Sequence, residues 1–496
     1  MVGVVAAPGT APLVTLAALI AAGLVAGEYL NPDGAAYLSL ADQWAAGAFD
    51  DAVSGYWGPL YSWLLVPVLR IGVEPLVAVR VVLGLAAVLV VVISRRLLDR
   101  AGLRPAWAGA GTLAVAPVAV WSASFGAYPE TLLIAALLAY CLALGDPMQA
   151  SARRLAAAGA LGGIAYLCKA AALPLITGHL ILVLLVAAVT RRTTAVRRLL
   201  AALVGLAVVA GPWIGVLSAT YDRPTFSTAV GFNDDLVGSR GNPLLYAGLY
   251  PLPFDDARSA WDDPTETIDA TRWAPPGDLD LPAEQRTRPE RLVDSVRVAL
   301  GSLGRRVPVA LVLAAATVLL AWRRLPPVLV SVVLLAAGTT AGYAVVLVIE
   351  RYLWFTMIAL TLVATFGASL VPADAERRRR ALTMTLLTGV IATSWLGSGQ
   401  AMLTRLGDHQ ELDAIAAEHT QLDGARVVAT DAWAETLAVC VRADCAYLGK
   451  IGDADLVDID DLRLFDIDYV VDVDASEPAG QVMDLDEWVA ARAAGE

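Results

Sequence analysis

Uncharged apolar runs recur along this chain at about the 20-residue length that lets a helix cross a hydrocarbon core about 30 Å thick. "ALPLITGHLILVLLVAAVT" and "PPVLVSVVLLAAGTTAGYAVVLVI" are two of them. Nothing alternates with period two over comparable stretches, so a closed β-barrel does not compete. Composition agrees: 57% of residues are hydrophobic, 17% are charged and the mean hydropathy is +0.63, outside the range of ordinary soluble domains. The expected fold class is an all-α polytopic membrane protein. Spans are predicted at 9–28, 76–94, 106–124, 130–145, 155–168, 171–190, 199–219, 307–322, 327–349, 352–371 and 381–398, about eleven crossings in all. The first run lacks a basic n-region and reads as a retained span.

Orientation follows from the arginines. Arg95, Arg96, Arg100 and Arg104, then Arg153 and Arg154, then Arg191, Arg192, Arg197 and Arg198, then Arg323 and Arg324, then Arg377 to Arg380 fall in alternate connections. The positive-inside rule makes those connections cytoplasmic. The first loop at 31–72, the long polar loop at 220–306 and the tail from 399 then face outward, on a multi-pass protein of the plasma membrane. The domain reading is a membrane domain over 1–398 and an extracytoplasmic domain over 399–496. That tail holds 22 acidic against 6 basic residues, enough to exceed the whole chain's net charge of −12. "ARVVATDAW" and "FDIDYVVDVD" read as strands and "AETLAVCV" as a helix, which predicts a small α/β unit. Cys440 and Cys445 in the tail would be free to bridge outside the cell, whereas Cys141 and Cys168 read as small core hydrophobes.

Ionisable groups at span edges need a reason, and the candidates gather on the outer side. Glu28, Asp33 and Asp42 follow the first span, Glu130 opens the fourth, Lys169 separates the fifth and sixth, and Glu350 and Arg351 begin the tenth. In "NPDGAAYLSLADQW", Tyr37, Leu40, Ala41 and Trp44 share one helical face, which predicts an interfacial helix capped by Asn31 or Asp33. Locally, Asp33 reads as a cap. "YWGPLYSWLLVPVLRIG" predicts a second interfacial or re-entrant piece, with Trp57, Tyr61 and Trp63 at headgroup level or available to stack on a sugar. Lys169 ends a short span, where an ammonium either snorkels or meets a lipid phosphate. Arg351 has Glu350 as a structural partner but carries a fork suited to phosphate. Asp255, Asp256, Asp262 and Asp263 read as a solvated loop, with a divalent cation as the other reading. No metal-site, nucleotide-binding or serine-hydrolase motif is found. His179, inside a span, is expected to bond to a neighbouring helix.

The series "NPDGAAYLSLADQWAAG", "GPLYSWLL", "YPETLL", "LGGIAYLCKAAALPL" and "ERYLWF" resembles the GT-C membrane glycosyltransferases, in particular the branch of protein O-mannosyltransferases and aminoarabinose transferases, glycosyltransferase family 39-like. The resemblance covers about the first 400 residues in order and placement. It implies a hexosyl- or pentosyltransferase that takes sugar from a polyprenyl-phosphate donor at the outer membrane face, usually with inversion. Asp33 would be the general base. Lys169 and Arg351, with Tyr61, would hold the donor phosphate. Glu130 would orient the acceptor or bind a metal, and Asp42, Tyr37 and Trp57 would contact sugar or acceptor. Asp-Gly stands where protein mannosyltransferases carry Asp-Glu, and no MIR-like domain is inserted, so the acceptor stays open among glycan, lipid and protein. Membrane lipid is an expected partner, nucleic acid is not, and no cofactor is specified beyond the open divalent cation. A transporter or lipid-linked sugar flippase is the competing class, and a scaffold subunit fits the same topology.

Overall fold

The computed structural model describes residues 7, 9–25, 30–236, 248–268, 288–370, 376–403, 410–451, 459–473 and 481–494. Glu28 and the side chains of Arg377 to Arg380 lie outside the described residues. The chain divides into two compact units, one of Met1–Val25, Arg80–Pro224 and Arg288–Leu406, the other of Ala26–Val79, Thr225–Thr287 and Gly407–Glu496.

The first unit is an apolar helix bundle. Among the described residues of the whole chain, seven helices are long and apolar enough to cross a membrane, or up to eight if a pair bent by 111° counts as one span. Glu130–Leu144 and Thr10–Gly23 are apolar but shorter. Leu85, Val208, Leu319 and Leu320 stand exposed on these helices, the surface of an integral membrane protein whose solvent is lipid. Helices Ala152–Cys168 and Thr193–Thr220 pack closely against each other. A Cβ at Gly159 would sit 1.8 Å from the Ala202 carbonyl oxygen, and one at Gly205 would sit 2.0 Å from that of Ala156. Gly159 and Gly163 form the four-residue small-residue spacing that lets helix backbones touch where no hydrophobic effect drives them together.

The basic connections have a structural use in this unit. Arg100 Nη1 and Arg154 Nη2 each donate to the Leu142 carbonyl at 2.9 Å, and Arg154 Nε donates to that of Ala143 at 2.6 Å. These carbonyls end helix Glu130–Leu144 and have no intrahelical donor, so the guanidinium groups cap the helix and complement its dipole. His179 Nδ1 meets the Tyr140 hydroxyl at 2.8 Å, the interhelical bond expected of it.

The 220–306 stretch is not all loop. Arg288–Arg306 forms a helix that packs in this bundle through Ser295, Ala299, Ser302 and Leu303 while Leu292, Val293, Val296 and Leu300 stand exposed. The axis then turns by 111° into Pro308–Ala321, because Pro308 lacks the N–H that would continue the ladder. Charged residues on this helix mask it from a search for uncharged runs.

The second unit combines helices Pro32–Ala46 and Pro59–Arg70 with a five-stranded sheet. Its strands are β1 (Gly248–Leu249), β2 (Arg426–Ala429), β3 (Ala446–Lys450), β4 (Tyr469–Asp472) and β5 (Gln481–Asp484), in the order β1-β3-β2-β4-β5. β2 runs parallel to both β3 and β4, and the two edge strands are antiparallel. Val428, Leu448, Ile451, Leu462, Ile467, Val470 and Leu485 form its core. β2, β4 and helix Trp433–Ala443 fall where the sequence predicts them. β1 comes from the long loop, a pairing that no local pattern announces. Cys440 and Cys445 are buried and free, so neither bridges the other.

Candidate active site

Breaks between apolar helices place the charged groups of the first unit. Glu130 is the first residue of Glu130–Leu144, Lys169 is the extended C-cap of Ala152–Cys168, and Arg351 lies in a short 3-10 turn, Glu350–Leu353, ahead of Trp354–Ser369. A break frees backbone polar groups and lets a long side chain leave the helix surface. Glu130 and Lys169 thus occupy the ends of their helices opposite the arginine-rich connections.

Glu130 is the hub. Its Oε1 receives Lys169 Nζ at 2.5 Å and lies 3.7 Å from Arg351 Nε. Side-chain exposure is 5% for Glu130, 23% for Lys169 and 13% for Arg351, so the three share a mostly desolvated space. One carboxylate between two cations leaves a net charge of about +1, which an incoming anion would complete. Glu130 Oε2 is buried with no hydrogen-bond partner among the described residues.

Aromatic rings wall this cluster. Tyr343 and Tyr352 stack at 4.0 Å with 9° between their planes, and Lys169 Nζ stands 4.5 Å from the Tyr352 centroid. The Arg351 guanidinium lies 4.0 Å from the Tyr128 centroid. Cations over ring faces are held in direction without being neutralised. Glu350, the expected partner of Arg351, is taken by Arg306: Nε to Oε1 is 2.5 Å, and Arg306 Nη1 also donates to the Gly397 carbonyl at 2.8 Å. Arg306, Tyr343 and Tyr352 were not legible as site residues, although Tyr352 lies inside "ERYLWF".

Asp33, Tyr37, Asp42, Trp57 and Tyr61 belong to the second unit. The N-cap of Pro32–Ala46 is Asn31, with Pro32 at the first helical position, so Asp33 is not the cap. Asp33 Oδ1 instead accepts from the Trp261 indole N–H at 3.3 Å. On the same helix Ser39 and Gln43 are buried, while the Asp42 side chain is 42% exposed. Ser39 Oγ donates to Asp262 Oδ2 at 2.6 Å, and Arg258 Nη2 bonds Asp42 Oδ2 at 3.1 Å and Asp444 Oδ1 at 2.9 Å.

Asp262 and Asp263 are accordingly buried, not solvated. Burial pushes the Asp262 carboxyl up to about 6, against the pull of hydrogen bonds from Ser39 and the Arg258 amide. The headgroup-belt reading of Trp57 and Tyr61 also gives way. Tyr61 is fully buried and Trp57 nearly so, with the Tyr37 ring 5.0 Å from Tyr61 and 5.1 Å from Trp57. Trp57 Nε1 donates to the Trp261 carbonyl at 2.9 Å. Among the described residues, no group of three or more His, Cys, Asp or Glu side chains is arranged to hold a metal.

The fold is GT-C-like. Among solved structures the chain is similar to ArnT from Cupriavidus metallidurans bound to undecaprenyl phosphate, with 16% identity over 89% of this chain and 85% of that one and a TM-score of 0.58. Apo ArnT gives 15% identity over 87% and 82% with a TM-score of 0.51. Arabinofuranosyltransferase AftD from Mycobacteria gives 14% identity over 94% of this chain and 35% of that chain, with a TM-score of 0.47. No family model matches the sequence. No curated protein matches it either.

Proposed function

We propose that this protein is a membrane glycosyltransferase that moves a hexose or pentose from a polyprenyl-phosphate donor to an acceptor hydroxyl at the extracytoplasmic face. The observation that carries the reading is the Glu130, Lys169 and Arg351 cluster, a positively charged, aromatic-walled, largely desolvated group at span ends. A lipid phosphate is an anion that belongs at that depth. The GT-C-like fold supports the same class, as does the undecaprenyl phosphate bound to the similar ArnT.

On this reading the bond between the anomeric carbon and the phosphate oxygen breaks as the acceptor oxygen attacks from the opposite face. Lys169 and Arg351 take up the charge that grows on the departing phosphate, held in place beforehand by Glu130 and the tyrosines. Asp33 accepts the proton of the acceptor hydroxyl. The arginine alternation supports about eleven crossings, with the first outer loop and the 399–496 domain outside. The acceptor is a glycan, lipid or protein.

The test is turnover. Purified full-length protein is incubated with a panel of labelled undecaprenyl-phosphate hexoses and pentoses, as wild type and as Asp33→Asn. Transfer or slow donor hydrolysis by the wild type, lowered by about a hundredfold or more in Asp33→Asn with thermal stability preserved, supports the proposal. A panel that neither binds nor turns over discards it and favours transport.

A further inference from the structure

We propose that Trp261 is a positioning residue for Asp33, its indole N–H fixing the carboxylate while the surrounding segment, 248–268, pins that indole to the helix that carries Asp33. The inference rests on the reading of Asp33 as the general base.

Three features make Trp261 suited to this task. The residue is 7% exposed, and its ring packs against Trp57 at 5.7 Å and Tyr56 at 5.5 Å, which fixes the direction of its N–H. Its backbone is held as well: its carbonyl accepts from Trp57 Nε1, and its amide donates to Ser259 Oγ at 3.2 Å. Its chain neighbours tie back to helix Pro32–Ala46, Asp262 through Ser39 and Arg258 through Asp42. The indole and the carboxylate therefore share one rigid frame.

The choice of donor matters chemically. An indole N–H is neutral, does not titrate and cannot accept. It orients a carboxylate and leaves it anionic, whereas a lysine or arginine in the same place would neutralise the charge a base must use. The same segment contributes strand β1 to the sheet, and Arg258 also grips Asp444, so the sheet buttresses the frame.

Trp261→Phe keeps an aromatic ring of smaller size and removes the donor. With the donor identified in the panel above, kcat should fall about ten- to a hundredfold, the loss expected of a displaced reactive group, while the donor KM holds and the protein stays folded with a melting temperature lowered only by the truncation of a buried ring. Adding Trp261→Phe to Asp33→Asn should change the residual rate by less than about twofold, because the two act as one unit. A Trp261→Phe enzyme with wild-type kcat, or losses that multiply in the double variant, overturns the proposal. The bond itself is read without turnover. The 15N-indole resonance of Trp261, assigned by Trp261→Phe, should move in Asp33→Ala, and an unmoved resonance also overturns the proposal. A moved resonance with no turnover of any donor shows instead that the general-base reading has failed, and the positioning role falls with it.

Discussion

Glu350 pairs with Arg306, 44 residues earlier in the chain, and Arg351 turns its guanidinium to Glu130 and the Tyr128 ring. The exchange matters because it lets a planar, permanently charged fork share a carboxylate with Lys169. Arg306 carries the structural duty, bridging Glu350, the Gly397 carbonyl and the Trp121 face at 4.9 Å. Arg306→Lys, which cannot fork, should lower stability by about 1–2 kcal/mol in a thermal-shift or denaturant measurement in detergent. Unchanged stability would show that the bridge is dispensable.

Glu130→Gln leaves Lys169 and Arg351 facing each other without a counter-charge. Breaking a desolvated pair by removing one partner is expected to cost about 3 kcal/mol. Added polyprenyl phosphate should recover part of that loss, since its anion replaces the missing carboxylate. Thermal melts with and without the lipid check both statements.

Asp262 sets a pH dependence of known sign. Burial raises its carboxyl from 3.8 unfolded to about 6 folded, so the folded state holds the proton more tightly. Its contribution to stability is fully present below about pH 4, declines as pH rises through 6 and is constant above. Asp262→Asn removes this dependence. The stability difference between variant and wild type should therefore move in favour of the variant by about 3 kcal/mol across that window, following 1.36 kcal/mol per pKa unit. Paired melts at pH 4 and pH 7 decide it, and a constant difference would refute it.

Gly159→Val places branched carbons against the neighbouring helix, where even a Cβ would lie 1.8 Å from the Ala202 carbonyl oxygen. The two helix backbones must separate, so the expected loss is about 2–3 kcal/mol, with reduced yield of monodisperse protein in size-exclusion chromatography. Gly178→Val, with nothing within 4 Å, is the control expected to stay within about 0.5 kcal/mol.

The sequence by itself determined the class of protein: long uncharged runs leave helices in lipid as the solution, and the arginines that label their connections also cap helix ends. It placed β2, β4 and the helix Trp433–Ala443, because periodicity and composition are local properties. It also marked Asp33, Glu130, Lys169 and Arg351, because a charge beside an apolar run is conspicuous whatever its neighbours are. Tertiary structure alone decided which partner each charge takes. Glu350 had a sequence neighbour available and took Arg306, Asp33 looked like a cap and received an indole, and Asp262 looked solvated and was buried against Ser39. The physical reason is range. Hydrophobic periodicity is written in consecutive residues, whereas pairing and desolvation depend on distances of about 3 Å between groups that can be more than 200 positions apart, as Asp33 and Trp261 are.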